Sequence, residues 1–268
     1  MEAQTHTLLH HQIAVYQGGK GSQALVLCHG NSTSSRIFQK QFAGPLAEKF
    51  RLVAFDYPGH GRSENAADHQ DYSLPGLADV LVALVRNFGL DDATFVGFSL
   101  GGHVVLEASD RLPQAKGFMI YGTPPVGKPP AMERAFLPHP GMAALFKGDL
   151  TRAEAELLES GSFSPGAATP EQFVEDCLRT DPAWRNSFGE SIGFGRYRDE
   201  LEIIRSLRQP LAVLHGQNEQ LVNLEYIQGL EMSSLWRGAV QVVPNAGHAL
   251  HWEAPEAFAE LVEAFSKA

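Results

Sequence analysis

This chain of 268 residues has little of what several protein classes require. Its two cysteines, Cys28 in a predicted strand and Cys177 in a predicted helix, lack metal-ligand spacing and are interpreted as reduced packing residues. Lysine and arginine number 21 against 31 aspartates and glutamates, and a net charge of −10 excludes a basic nucleic-acid surface. No apolar run approaches the roughly 20 residues that span a bilayer, and the N-terminus does not resemble a signal peptide. A cytoplasmic location is therefore expected.

Apolar runs bounded by glycine and proline alternate with helical patterns, which is typical of a parallel sheet covered on both faces. Residues 74–90 repeat apolar side chains at spacings of three and four before a stop at Gly89, and residues 254–268 form an amphipathic C-terminal helix with a proline in its first turn. We predict strands over residues 12–17, 24–30, 51–59, 93–99, 116–123, 211–217 and 239–247.

Residues 126–199 interrupt this alternation, because they carry short helical patterns and no convincing strand. We predict a helical cap there, inserted into an α/β core made of residues 1–125 and 200–268. The cap is rich in large apolar side chains, most of which must hold the cap itself together. Among them, Phe136, Met142 and Trp184 are predicted to contact substrate.

The stretch "GFSLG" places Ser99 between an apolar β run and a helical pattern, with Gly97 and Gly101 two residues to either side. A serine nucleophile must protrude from the backbone to reach a carbonyl. The G-x-S-x-G turn makes the serine protrude, and it needs glycine on either side because strand and helix nearly touch there. We predict that Ser99 is a catalytic nucleophile.

A serine hydrolase needs backbone donors for the developing oxyanion, one of them after an earlier strand. The strand that ends in "CHGN" places Gly30 and Asn31 in such a loop. We predict an oxyanion hole formed by the N–H groups of Asn31 and Leu100, with Gly30 and the Asn31 side chain also near the substrate. A plain strand-ending turn is the alternative for this loop.

The base is expected near the C-terminus, where His248 occupies a glycine-flanked loop between the last strand and the last helix. His251 is the second choice, three residues further on. His60, His103 and His215 are interpreted as structural residues, His103 because it lies on the helix behind Ser99.

An acid must orient this base, and the chain order serine, acid, histidine requires it between residues 100 and 247. Glu219 follows the penultimate predicted strand, where its neighbours Gln217, Asn218 and Gln220 cannot carry a full negative charge. Glu219 is therefore the predicted acid. Glu225 is the fallback, on the helix that follows.

Together the motifs "HGNSTSS", "DYPGHGRS", "GFSLGG", "HGQNEQLV" and "NAGHA" resemble the α/β-hydrolase fold over almost the whole chain apart from the cap. The resemblance implies a mostly parallel eight-stranded sheet flanked by helices, with the helical cap inserted after strand 6. The usual catalytic aspartate is replaced here by Glu219. The dehalogenases and epoxide hydrolases of this fold use an aspartate nucleophile, which Ser99 speaks against.

"HGNSTSSRIFQKQ" and "YGTPPV" are similar to the α/β-hydrolase-type N-acyl homoserine lactonases, which open the ring of bacterial quorum-sensing signals. That resemblance implies a triad of Ser99, Glu219 and His248 and a quorum-quenching activity. It also implies a cap tyrosine near the substrate. In this chain the resemblance puts Leu157 at the position of that tyrosine, as a substrate-binding residue. The sole tyrosine of the predicted cap, Tyr197, lies far along the chain.

The implied enzyme acts on a small acyl lactone or ester, needs no metal or organic cofactor, and is a monomer or a homodimer. A carboxylesterase acting on small acyl esters would use the same triad. A hydrolase of carbon–carbon bonds and a ligand-binding receptor of the same fold are further alternatives.

Overall fold

One eight-stranded sheet forms the centre of the computed structural model, which describes residues 1–268. Its spatial order is β1-β2-β4-β3-β5-β6-β7-β8, with β1 and β2 antiparallel to their neighbours and the remaining pairs parallel. The predicted fold class is confirmed. The strands are β1 Ala3–Leu8, β2 His11–Gly18, β3 Ala24–Cys28, β4 Arg51–Phe55, β5 Thr94–Phe98, β6 Gly117–Tyr121, β7 Leu211–Gly216 and β8 Gln241–Val243.

Seven of these strands were predicted, and the eighth, β1, has no apolar run that would indicate it. Its sequence AQTHTL is mostly polar and only Leu8 is buried, because β1 is an edge strand that pairs with β2 alone. By contrast, β3, β5, β6 and β7 are buried along their whole length, as expected of central parallel strands.

Twelve α-helices and five short 3₁₀ turns connect and cover the strands. The helix predicted from apolar spacing is present and ends at Gly89 in the left-handed conformation, and the C-terminal helix begins at a proline, as predicted. The α-helices are α1 Gln39–Ala43, α2 Pro45–Lys49, α3 Leu74–Phe88, α4 Leu100–Ala108, α5 Met132–Ala135, α6 Arg152–Ser160, α7 Glu171–Arg179, α8 Pro182–Gly193, α9 Glu200–Ser206, α10 Leu224–Gln228, α11 Leu250–Glu253 and α12 Pro255–Ser266.

Between β6 and β7 the chain forms helices α5 to α9 and no strand. The division into a core and a cap at residues 126 and 199 stays a prediction. Cys28 and Cys177 are buried and unpaired. No helix combines the length and apolar character needed to cross a membrane.

The sheet order gathers several loops at one edge. β3, β5, β6, β7 and β8 are parallel neighbours, so their carboxyl ends meet at the same edge of the sheet. The loops that follow β3, β5, β7 and β8 carry, in turn, Asn31, Ser99, Glu219 and His248. Four predicted site residues from distant parts of the sequence are therefore brought to one edge.

Candidate active site

Ser99 occupies a strained turn between β5 and α4. Its φ of 51° and ψ of −117° lie in a region that a residue with a side chain rarely adopts. The surrounding backbone holds this conformation, since the Ser99 N–H donates to the Tyr121 carbonyl at 2.8 Å and the Thr123 hydroxyl donates to the Ser99 carbonyl at 2.7 Å. The Ser99 hydroxyl itself has no partner in the protein and lines a cleft.

The two flanking glycines allow strand and helix to approach this closely. A Cβ atom at Gly97 would lie 2.5 Å from the Gly101 carbonyl oxygen, and one at Gly101 would lie 2.2 Å from the Cys28 carbonyl oxygen. Both distances are far below a van der Waals contact. The spacing of the G-x-S-x-G pattern thus reflects backbone contacts that a methyl group would prevent.

His248 and Glu219 form a buried pair at the ends of β8 and β7. The His248 Nδ1 atom lies 2.7 Å from Glu219 Oε2, and the two side chains are only 5 % and 2 % exposed. The second carboxylate oxygen accepts the Leu221 N–H at 2.8 Å, which fixes the carboxylate plane. Because Nδ1 is bound to Glu219, the Nε2 atom is the one available as a base.

The loop of His248 is held by a residue that sequence reasoning missed. Glu253, at the end of α11, accepts the Gly247 N–H at 2.7 Å and the Ser164 N–H at 3.0 Å. It therefore ties the residue before His248 to the segment after α6. Nothing in the sequence pattern marks Glu253 for this task, because its two partners are brought together only by folding.

The alternative histidines lie in surroundings that disfavour a proton-accepting role. His251 is fully buried among Phe38, Phe98 and Tyr121, and burial lowers its pKa to about 3. Burial likewise lowers the pKa of His60 to about 3, and the pKa of His215 is lowered by the same cause. All three rings therefore stay neutral at neutral pH.

The predicted oxyanion donors both lie at the cleft. Asn31 and Leu100 line it beside Ser99, and neither N–H has a hydrogen-bond acceptor in the protein. Gly30 is buried beneath them, where a Cβ atom would lie 3.4 Å from Ser99 Cβ. Unpaired N–H groups at the start of a helix and in a strand-ending loop can bind a developing negative charge.

Trp184 contacts Asn31 and does not itself line the cleft. It is fully buried and does not line the cleft, which corrects its predicted role as a direct substrate contact. Its indole Nε1 donates to Asn31 Oδ1 at 2.7 Å, and the Ser32 hydroxyl donates to the same oxygen at 2.9 Å. The Asn31 side chain is therefore held in place by α8.

The cleft is apolar except at its catalytic end. Fourteen residues line it and eleven are hydrophobic, including the predicted Phe136 and Met142. Leu157 does not line it, contrary to the prediction: it is 44 % exposed, because α6 turns Ala155 and Leu158 inward instead. Tyr197 does line the cleft, and its hydroxyl donates to the Gly127 carbonyl at 3.1 Å. A tyrosine from the segment between β6 and β7 is thus present at the cleft, at a different position in the chain.

The one cluster with metal-ligating spacing lies elsewhere. The ligating atoms of His10, His11 and Asp71 are within 4.8 Å of one another, at the β1–β2 turn. None of the three lines the cleft.

The position of His248 depends on the absence of a side chain at Gly122. A Cβ atom there would lie 2.6 Å from His248 Cε1, and the Gly122 φ is 62°. We expect Gly122→Ala to displace the imidazole and to lower kcat/KM by about 100-fold, as a misplacement of about 1 Å does. Steady-state kinetics on p-nitrophenyl butyrate measures this loss.

Gly89→Ala is the matched control for this prediction. Gly89 has nearly the same φ, 59°, but nothing lies within 4 Å of its Cβ position. We expect Gly89→Ala to lower the free energy of unfolding by about 1–2 kcal/mol, as the positive φ does at Gly122, without loss of activity. Equal activity of the two variants would contradict a catalytic position for His248.

Comparisons with known proteins identify the family of this chain. The profile of the alpha/beta hydrolase family matches residues 25–261. A crystal structure of the N-acyl homoserine lactonase AidH with N-hexanoyl homoserine lactone is 32 % identical, with a TM-score of 0.94, and the match covers 99 % of this chain and 97 % of that one. A second structure of that lactonase, with N-butanoyl homoserine, has the same identity and TM-score and covers 99 % and 96 %.

Two curated relatives are esterases. A bifunctional esterase/perhydrolase of Acinetobacter calcoaceticus is 28 % identical over 81 % of this chain and 82 % of its own length. A pimeloyl-[acyl-carrier protein] methyl ester esterase of Pectobacterium carotovorum is 28 % identical over 93 % and 96 %. The relatives therefore share ester hydrolysis and differ in the molecule that carries the ester.

Proposed function

This chain belongs to the alpha/beta hydrolase family, and on that premise we propose that it opens the lactone ring of N-acyl homoserine lactones through a triad of Ser99, His248 and Glu219. Family membership and the lactonase and esterase relatives make it a hydrolase of ester bonds. We propose, beyond this, that the substrate is a lactone and that Ser99, His248 and Glu219 form the triad. Because these lactones are bacterial quorum-sensing signals, their hydrolysis would make the protein a quorum-quenching enzyme.

In the first step Ser99 attacks the lactone carbonyl. His248 Nε2 takes the hydroxyl proton, and Glu219, bound to Nδ1, stabilises the imidazolium that results. The burial of the pair strengthens this interaction, because little water screens it. The strained turn presents the Ser99 hydroxyl to the cleft without a competing hydrogen bond.

The tetrahedral intermediate carries its negative charge on the former carbonyl oxygen. We assign the N–H groups of Leu100 and Asn31 to this oxyanion, each worth about 3–4 kcal/mol where such a donor has been removed from another enzyme. The N-terminus of α4 adds a favourable dipole. Trp184 keeps Asn31 in position through the side-chain hydrogen bond.

Collapse of the intermediate breaks the ring C–O bond, and His248 gives its proton to the leaving alkoxide. The alcohol stays attached to the acyl-enzyme, so water must attack before the ring closes again. His248, neutral once more, then takes a proton from this water and returns it to Ser99. The product is the open N-acyl homoserine.

The single observation that carries the choice of substrate is the 32 % identity and 0.94 TM-score to a lactonase crystallised with N-hexanoyl homoserine lactone. The apolar cleft supports it, because eleven hydrophobic lining residues suit an acyl chain. A carboxylesterase for small acyl esters is the second candidate, and the two esterase relatives favour it.

Mass spectrometry of a panel of N-acyl homoserine lactones, beside p-nitrophenyl esters, tests the proposal. We expect wild-type protein to add one water to the lactones with a higher kcat/KM than it shows for the esters. Rapid hydrolysis of the esters with inert lactones would support the carboxylesterase and overturn the lactonase.

A further inference from the structure

Apart from the Tyr197 hydroxyl, which is bound to the Gly127 carbonyl, the cleft contains one polar side chain that the proposed mechanism does not use. Three of its lining residues are not hydrophobic: Ser99, Asn31 and His103. The first two have roles as nucleophile and oxyanion donor. His103 lies on α4, where a histidine with only a packing role was predicted.

One ring nitrogen of His103 is bound to a buried carboxylate. His103 Nδ1 lies 2.7 Å from Glu200 Oε1, and the Glu200 side chain is 0 % exposed. The other carboxylate oxygen accepts the Val126 N–H at 2.8 Å. Since Nδ1 is turned to Glu200, Nε2 at the opposite edge of the ring is the polar atom left for the cleft, and it has no partner in the protein.

The position of His103 relative to Ser99 indicates which part of a substrate the histidine would contact. It follows Ser99, the N-cap of α4, by four residues, which is a rise of about 6 Å along the helix axis, and both residues line the cleft. In an extended N-acyl homoserine lactone, carbon 3 of the acyl chain lies a comparable distance from the lactone carbonyl.

We propose that His103 Nε2 accepts a hydrogen bond from a hydroxyl on carbon 3 of the acyl chain, so that the enzyme prefers 3-hydroxy acyl lactones over 3-oxo and unsubstituted ones. This inference rests on the proposed lactonase function for the identity of the substrate. A polar ring held in an apolar cleft by a buried carboxylate discriminates well, because an unsubstituted chain leaves it without a partner.

A purely structural role is the competing explanation. The His103–Glu200 pair also connects α4 to Val126, at the start of the segment between β6 and β7. Two substitutions separate the roles. His103→Asn places an amide where Nδ1 was, so it retains the contact with Glu200 and lacks the Nε2 position. His103→Gln reaches the Nε2 position and gives up the contact with Glu200.

The experiment measures kcat/KM for N-(3-oxohexanoyl), N-(3-hydroxyhexanoyl) and N-hexanoyl homoserine lactone. We expect wild-type protein to prefer the 3-hydroxy substrate, and His103→Asn to lower the ratio of its kcat/KM to that of the unsubstituted lactone about five- to tenfold, the worth of one hydrogen bond. His103→Gln should lower the ratio less. His10→Asn, at an exposed histidine outside the cleft, should not change it.

Three results would overturn the proposal: no preference for the 3-hydroxy substrate in the wild-type protein, equal losses on all three substrates, or a ratio lost in His103→Gln and kept in His103→Asn. If no lactone is hydrolysed, the proposed function fails, and ethyl 6-hydroxyheptanoate against ethyl heptanoate still tests His103. The hydroxy ester sets the same number of bonds between the scissile carbonyl carbon and the carbon that carries the hydroxyl. A preference for the hydroxy ester that His103→Asn abolishes would support the contact without the lactone.

Discussion

Ser99→Ala is expected to lower kcat by about a million-fold, to the level that oxyanion donors and binding alone provide. The loss is expected to be this large because no other hydroxyl or thiol lines the cleft in a position to replace Ser99. The remaining polar groups in the lining are Asn31, His103 and the Tyr197 hydroxyl, and the last of these is bound to the Gly127 carbonyl. Hydrolysis of N-hexanoyl homoserine lactone and of p-nitrophenyl butyrate measures the loss.

This variant should fold as well as the wild-type protein. The Ser99 hydroxyl makes no hydrogen bond within the protein, and alanine faces the same backbone strain as serine. The melting temperature is therefore expected to change little. Ser109→Ala is the control at the other end of α4, where the lost hydroxyl bonds only the Leu106 carbonyl, and it should retain full activity. Appreciable hydrolysis by Ser99→Ala would refute the nucleophile assignment.

Glu219→Gln is expected to lower kcat by about 10⁴-fold, the loss seen when the triad acid of another serine hydrolase becomes an amide. The Leu221 N–H requires an acceptor at the Oε1 position, so the glutamine oxygen will occupy it and turn the NH₂ group to His248. An NH₂ donor forces Nδ1 to accept. The proton then resides on Nε2, which can no longer receive the proton of Ser99.

Glu219→Gln should lower kcat and leave KM nearly unaltered, because Glu219 does not line the cleft. Steady-state kinetics separates the two constants. Glu225→Gln is the matched control, since Glu225 is the exposed alternative acid on α10. Loss of activity in Glu225→Gln with normal rates in Glu219→Gln would reverse the assignment.

Much of the fold was predictable because its signals are local. The apolar runs of the buried strands, the proline that starts α12 and the glycine that ends α3 act through residues that are neighbours in sequence. The turn at Ser99 is partly of the same kind, since Gly97 faces Gly101 four residues away, whereas Gly101 faces the Cys28 carbonyl of β3. The edge strand β1 was missed because an exposed, mostly polar strand carries no apolar signal.

Local patterns of residues were enough to predict the α/β fold class, seven of the eight strands, and the chain order in which Ser99, Glu219 and His248 occur. The walls of the cleft depend on tertiary packing instead. It turned Leu157 to solvent, brought Tyr197 to the cleft, put Trp184 beneath Asn31 and joined His103 to Glu200. These contacts join helices and loops that are distant in sequence, and their orientation follows from packing against the sheet rather than from any spacing in the sequence.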